Sequence, residues 1–183
     1  MDFTAYLSYF QSIIEDKDNR PELYQNPEYF EYTQLNWSRM NRWLKTGKLL
    51  EQTIEKLKAI NSPQNWIVIT EPWCGDASHI VPFIELMVRE NPLISISYEL
   101  RDAEPFRIDN YLTAGSKSIP IVIIKDENGN DLKVWGPRPK ECQEFFMSEK
   151  AKGADLDALK IALQKWYNAD KGVKIQQEIM NFE

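Results

Sequence analysis

The stretch NWIVITEPWCGDASHIVPFIELM, residues 65–87, decides the fold. It opens with a short, almost continuous apolar run over residues 65–70, which is typical of a strand buried on both faces of a sheet. Apolar side chains then recur on one side of a helix predicted over residues 76–90, with Pro82 inside it as a kink. Cys74 lies between the two elements. The stretch therefore predicts a buried strand that leads through a cysteine-bearing loop into a helix.

Three further stretches predict strands that complete a sheet. Residues 93–100 alternate between apolar and polar side chains, and residues 119–125 form another buried run. The helix between the first two strands implies that they pair in parallel. Asn128 and Gly129 are a strong hairpin signal, so residues 132–135 should return as an antiparallel edge. This order predicts an α/β sandwich around a mixed sheet of about four strands.

The N-terminal part of the chain is predicted to be helical, because its apolar residues recur at steps of three and four. Pro21 and Pro27 interrupt this pattern, and Gly47 ends the second helix. We therefore expect a helical extension over residues 1–48 and a separate domain over residues 49–183.

Two other regions also suit helices. A short helix is predicted over residues 105–114, after the second strand. A last helical region covers residues 139–182, and we expect one break in it near Gly153.

The composition narrows the classes of partner and the compartment. The 183 residues carry a net charge of −6 and no Lys/Arg block, which argues against a nucleic-acid or anionic-membrane partner. Two cysteines are too few for a secreted disulfide framework. The N-terminus has no signal-peptide pattern, and no apolar run approaches the roughly 20 residues that span a bilayer. We therefore expect a cytoplasmic protein in a reducing compartment.

Cys74 is the residue on which a chemical function depends. At the start of a helix, unpaired backbone amides and the helix dipole favour an anion, so we expect a stabilised thiolate. The alternative is that Cys74 is a small buried apolar residue, as free cysteines often are. Because one histidine and two cysteines cannot supply the four ligands that zinc prefers, we expect no metal and no other cofactor.

The residues around Cys74 resemble the thioredoxin superfamily. Three separated marks carry the resemblance, in the family's order: a Trp-Cys-Gly motif with a proline eight residues after the cysteine, an Ile-Pro pair that opens a core strand, and a glycine after the hairpin. They are Trp73, Cys74, Gly75, Pro82, Ile119, Pro120 and Gly136. The resemblance implies a thioredoxin-like three-layer sandwich in which the bond before Pro120 is cis. The three motifs occur here in the forms EPWCGDA, SIP and WGPRP. This combination is similar to a bacterial single-cysteine branch of the superfamily.

The sequence also departs from the family's pattern in two places. Ala77 occupies the position of the second, resolving cysteine, so no local disulfide can form. Val68 stands where the family often buries an aspartate that shuttles protons. The resemblance therefore implies a monothiol mechanism, in which Cys74 attacks a disulfide and a second thiol releases the mixed disulfide.

The resemblance also implies a substrate groove with Pro120 as its floor and Ile119 beside it, walled by Trp73, Gly75 and Gly136. Two charged residues are placed near the sulfur: Asp76 would oppose a thiolate, and Arg138 would favour it or hold a substrate carboxylate. Each has a simpler interpretation, Asp76 as a helix cap and Arg138 as a solvated turn residue.

Four more residues are weaker candidates for the site. A catalytic role is open for His79, Arg101 and Asp102, and a resolving role is open for Cys142. His79 is most simply a core or exposed imidazole, because residue i+5 of a helix lies well round from residue i. Cys142 is most simply a buried or partly exposed residue of the last helical region.

Two functions of different classes follow. The first is thiol–disulfide exchange with a protein disulfide or a low-molecular-weight thiol as partner. The alternative is a non-catalytic module that binds an extended peptide or a partner protein while Cys74 stays inert. A one-cysteine peroxidase fits less well, since only Arg138 is available to surround the sulfur.

Overall fold

The computed structural model describes residues 1–16 and 18–181, and a four-stranded sheet lies at its centre. The strands run in the order β2-β1-β3-β4 across the sheet. They are β1 (Gln64–Thr70), β2 (Ile94–Leu100), β3 (Ile121–Lys125) and β4 (Asp131–Trp135).

Seven α-helices of the described residues surround the sheet. They are α1 (Phe3–Glu15), α2 (Pro27–Thr46), α3 (Glu51–Lys58), α4 (Ala77–Val88), α5 (Lys140–Ala151), α6 (Leu156–Asp170) and α7 (Val173–Met180). Two 3-10 helices cover Glu22–Gln25 and Arg107–Asn110. Among these helices none combines the length and the apolar composition that crossing a bilayer requires.

The pairing of the strands confirms the mixed sheet. Strand β1 pairs in parallel with β2, so that Val68 lies opposite Tyr98. It pairs antiparallel with β3, which in turn pairs antiparallel with the edge strand β4. Because β1 is central, Ile67–Ile69 are all at most 4% exposed, as the continuous apolar run predicted.

Two of the predicted helices differ from those observed, whereas the break at Pro21 and Pro27 is found between α1 and α2. Pro27 begins α2, where Asn26 caps the N–H of Glu28 and the missing proline donor costs nothing. The helix predicted over residues 105–114 is only the 3-10 helix Arg107–Asn110. The last helical region breaks twice, because Lys171 and Gly172 both adopt left-handed backbone between α6 and α7.

The N-terminal helices pack into the same hydrophobic core as the sheet. Tyr6 of α1 stacks on Tyr98 of β2, with ring centroids 5.3 Å apart. Trp43 of α2 contacts Phe83 of α4 at 5.4 Å. Each fully buried aromatic of this kind contributes roughly 2–3 kcal/mol of burial energy. This packing sets α2 alongside α4, and so beside the loop that carries Cys74.

Candidate active site around Cys74

The loop between β1 and α4 places Cys74 as the sequence predicted. The Cys74 N–H donates to the Glu71 carbonyl at 3.0 Å, which closes a turn directly after the strand. The thiol donates to the Ile119 carbonyl at 3.4 Å, and the N–H of Ala77, the first residue of α4, points at Sγ from 3.5 Å. Cys74 is only 6% exposed, so the sulfur lies at the bottom of the site.

The floor of the site joins the beginning of β3 to the end of β4. The Ile119–Pro120 bond is cis, which confirms the prediction. Gly136 has φ +130°, and a Cβ built there would overlap the Pro120 carbonyl oxygen and lie 3.2 Å from Cα of Ile121. Only glycine combines this backbone with this contact, so Gly136 lies against Pro120 as the resemblance implied.

Asp76 and Arg138 lie together beside the sulfur, 62 positions apart in the chain. Oδ2 of Asp76 accepts from Arg138 Nε at 2.9 Å and pairs with a terminal guanidinium nitrogen at 2.8 Å. Oδ1 accepts from the Tyr167 hydroxyl at 2.8 Å. The Asp76 side chain makes no capping hydrogen bond to α4, and Arg138 is not a solvated turn residue. Both simpler interpretations are therefore wrong.

Burial decides the protonation state of Cys74. It raises the pKa of the thiol to about 12, and the Asp76 carboxylate adds to this rise. The Ala77 N–H and the Arg138 guanidinium lower the same pKa without reversing it. The helix start alone predicted a thiolate; that prediction is wrong for the resting protein, because desolvation outweighs the helix terminus.

Of the weaker candidates, Arg101 lines the cleft above Cys74, whereas His79, Asp102 and Cys142 do not. Nδ1 of His79 accepts from Trp43 Nε1 at 2.9 Å, the ring stacks on Tyr167 at 4.6 Å, and burial lowers the pKa of His79 to about 3. Cys142 is fully buried, which raises its pKa to about 12. Arg101 does reach the site: its guanidinium lies 4.7 Å from the Trp73 ring centroid while it pairs with Asp102.

Glu71 is a buried carboxyl that sequence reasoning missed. Glu71 directly follows the last residue of β1 and is 7% exposed. The backbone N–H groups of Arg101 and Asp102 donate to its carboxylate. Burial raises its pKa to about 7 against those donors. A glutamate directly after a strand carries no sequence signal of burial. The residues near it include Tyr9 of α1 and Tyr24 of the 3-10 helix Glu22–Gln25, which come from a distant part of the chain.

We predict that Glu71 makes the protein less stable as the pH rises from about 4.5 to about 7. A carboxyl whose pKa is raised by folding binds its proton more tightly in the native state, so its contribution is present below pH 4.5 and lost above 7. The loss should be about 3 kcal/mol, because the pKa rises by about 2.5 units and each unit corresponds to about 1.4 kcal/mol. Urea unfolding of the native chain and of Glu71→Gln at pH 4.5 and 8 measures it. An equal pH dependence in both proteins would contradict the prediction.

A cleft of about 610 Å³ opens above Cys74. Three aromatic residues wall it: Trp73 from the loop, and Tyr29 and Tyr32 from α2. The Tyr32 hydroxyl lies so close to Gly75 that a Cβ there would overlap it. Of the predicted site residues, the structure brings Trp73, Cys74, Gly75, Asp76, Ile119 and Arg138 to this cleft. Pro120 and Gly136 lie against each other and do not line it, but each is the chain neighbour of a residue that does, Ile119 and Pro137.

Comparison with known proteins agrees with this geometry. A family described as Thioredoxin matches residues 23–153. An HIV epitope scaffold is 19% identical over 81% of this chain and 82% of its own, with a TM-score of 0.57. A Pseudomonas aeruginosa protein of unknown function is 22% identical over 77% of this chain and 85% of its own, with a TM-score of 0.52.

These two structures share the fold, and their identities to this chain support no more than that. No curated protein matches the chain. The family match covers more than half of the chain, from within the 3-10 helix Glu22–Gln25 to just after α5. The chain therefore belongs to the thioredoxin-like superfamily.

Proposed function

We propose that this protein carries out thiol–disulfide exchange through Cys74 alone, as a single-cysteine branch of its superfamily. The observation that carries the proposal is the position of Sγ, at the bottom of an open cleft, beside Ile119 and at the start of α4. A small disulfide that enters the cleft can approach this sulfur, because Cys74 is one of the residues that line it.

The exchange needs no further oxidant. Sγ of Cys74 forms a bond to one sulfur of the substrate while the substrate's own S–S bond breaks, and the thiol proton ends on the departing sulfur. Ala77 cannot resolve the mixed disulfide, and Cys142 is fully buried. A thiol from outside the chain therefore releases the product and returns Cys74 to its free form.

A thiol with a pKa of about 12 exchanges slowly rather than not at all. Relative to a free cysteine near 8.5, the thiolate population at neutral pH falls by roughly three to four powers of ten. A more basic thiolate is also a stronger nucleophile, which recovers about half of that loss. The expected penalty is about 100-fold, and a substrate group that offsets Asp76 would reduce it.

The raised pKa also favours a second candidate function. With its thiol protonated, Cys74 could serve as an inert floor residue in a module that binds an extended peptide or a partner protein. Trp73 would then be the main contact, held by Arg101 over its face and by the Tyr29 ring, whose centroid lies 6.5 Å away.

The proposal extends to compartment and organisation. Because both cysteines are free, we place the protein in a reducing compartment, the cytoplasm. We further propose that residues 1–48 are an extension that walls the site, and that residues 49–183 form the thioredoxin-like domain.

We predict that Cys74 reacts with iodoacetamide at a rate that rises about tenfold per pH unit up to pH 10, without a plateau. The reason is that the thiolate fraction keeps growing below a pKa of about 12. Cys142→Ser isolates the reaction of Cys74, and Cys74→Ser gives the background. A plateau below pH 9 would show that the thiol is not desolvated in solution.

Mixed-disulfide formation then separates the two functions. Cys142→Ser is exposed to 4,4′-dithiodipyridine at pH 8, and mass spectrometry follows the adduct and its release by a small thiol. Exchange predicts an adduct on the folded protein within minutes. If only the urea-unfolded protein forms it, Cys74 is inert in the native state and the binding module is correct.

A further inference from the structure

The cleft restricts the size of what can reach Cys74. Helix α2 leans over the loop, with the Tyr32 hydroxyl against Gly75, and Lys160 of α6 lies 5.3 Å from the Tyr32 ring centroid, so that α2 and α6 together cover this part of the cleft. Lys160 lies beyond the residues 23–153 that the family matches. A cleft of about 610 Å³ suits a small ligand, whereas the disulfide of a folded protein cannot descend to a sulfur that is 6% exposed.

The charges of the cleft oppose those of the whole protein. In a chain of net charge −6, the described residues that line the cleft include four cations and two carboxylates. Arg138 is paired with Asp76 inside the site. The remaining charged residues of the lining are three cations, Arg101, Lys117 and Lys160, and one carboxylate, Glu28. They leave an excess of positive charge around the opening.

The partners of these three cations do not cancel this excess within the cleft. Asp102, Asp109 and Asp157 pair with them, but the three carboxylates have side chains 54%, 55% and 85% exposed and do not line the cleft. Water and salt screen exposed carboxylates of this kind. The side chains of Lys117 and Lys160 are 45% and 37% exposed, so solvent also screens them in part. They differ from their partners because they line a cavity with aromatic walls, where a field acts on a ligand more strongly.

We propose that the cleft selects a small disulfide that carries carboxylates, which Lys117 and Lys160 bind where they line the cleft. The choice of a disulfide rests on the proposed function, whereas the preference for an anion does not. The reaction is the exchange described above: Sγ of Cys74 bonds to one substrate sulfur, the substrate S–S bond breaks, and the departing half leaves as a carboxylate-bearing thiol.

The test uses three disulfides of similar size and different charge: 3,3′-dithiodipropionate, bis(2-hydroxyethyl) disulfide and cystamine. Binding to Cys74→Ser, measured by calorimetry or NMR titration, reports recognition without chemistry. We expect the dianion to bind at least about tenfold more tightly than the neutral disulfide, and cystamine to bind most weakly. The preference should shrink between 50 and 500 mM NaCl, as it does for exposed charges.

Variants of the cations localise the effect. Lys117→Gln combined with Lys160→Gln should abolish the preference for the dianion. Lys165→Gln, an exposed lysine of the same helix outside the cleft, is the matched control and should leave the preference intact. A preference that survives the double substitution would overturn the assignment of these two lysines.

The outcomes separate this inference from the proposed function. Equal binding of all three probes, or binding of none, overturns the inference even if the native chain exchanges with each of them. Dianion binding to Cys74→Ser without adduct formation by the native chain supports the inference and overturns exchange. If the native chain forms its adduct fastest with the dianion, after each rate is divided by the rate for the unfolded chain, the result supports both the inference and the proposed function.

Discussion

Gly136→Ala is expected to destabilise the protein by at least about 4 kcal/mol. At φ +130° an L side chain is strained, and its Cβ would overlap the carbonyl oxygen of Pro120, which is backbone and cannot move aside cheaply. Relief of this overlap would shift Pro120, together with the neighbouring Ile119 carbonyl that accepts the Cys74 thiol. Stability and the reactivity of Cys74 should therefore change together.

Gly129→Ala separates the contact from the backbone effect. Gly129 also has a positive φ, +83°, but a Cβ there has nothing within 4 Å. This control should cost only about 1 kcal/mol. Urea unfolding of both variants gives the comparison, and an insoluble Gly136→Ala beside a soluble Gly129→Ala points the same way. Losses of similar size would show that Gly136 does not close the floor of the site.

Asp76→Ala is expected to cost about 3 kcal/mol, because it removes, among the described residues, the only carboxylate paired with the Arg138 guanidinium, which keeps only its hydrogen bond to Gln143, and the acceptor of the Tyr167 hydroxyl. The side chains of Asp76 and Arg138 are only 11% and 18% exposed, so water cannot readily replace the carboxylate. The same change should lower the pKa of the Cys74 thiol, since the carboxylate contributes to its rise. Chemical denaturation and the iodoacetamide profile measure the two effects.

A double-mutant cycle tests whether the loss of the Asp76–Arg138 ion pair causes the lower stability of Asp76→Ala. Asp76→Ala with Arg138→Met should be more stable than Asp76→Ala alone, since it removes the unpaired buried charge and keeps an apolar stem against Phe146. Asp102→Asn, at the exposed pair with Arg101, is the control and should change stability by less than about 1 kcal/mol. If Asp76→Ala also lowers the free energy of unfolding by less than about 1 kcal/mol, the Asp76–Arg138 pair does not stabilise the site.

The local pattern of the chain predicted most of the fold. The buried run of β1, its helix and the Asn-Gly hairpin each depend on neighbouring residues, and each was predicted to within a few positions. The errors lie where the local residue type does not decide the conformation. Lys171 ends α6 in a left-handed conformation that its residue type does not indicate, so the break between α6 and α7 was missed.

For the site, the sequence by itself determined the place of Cys74 between β1 and α4 and the absence of a neighbouring cysteine at Ala77, and the resemblance that these residues carry predicted the cis bond before Pro120. These depend on residue identity and short spacing. Tertiary structure alone decided the chemical state of the site. The pKa of Cys74 depends on how much water the surrounding elements exclude, and the partners of Asp76 lie 62 and 91 positions away along the chain. Desolvation and charge pairing act through space, so no spacing in the sequence encodes them.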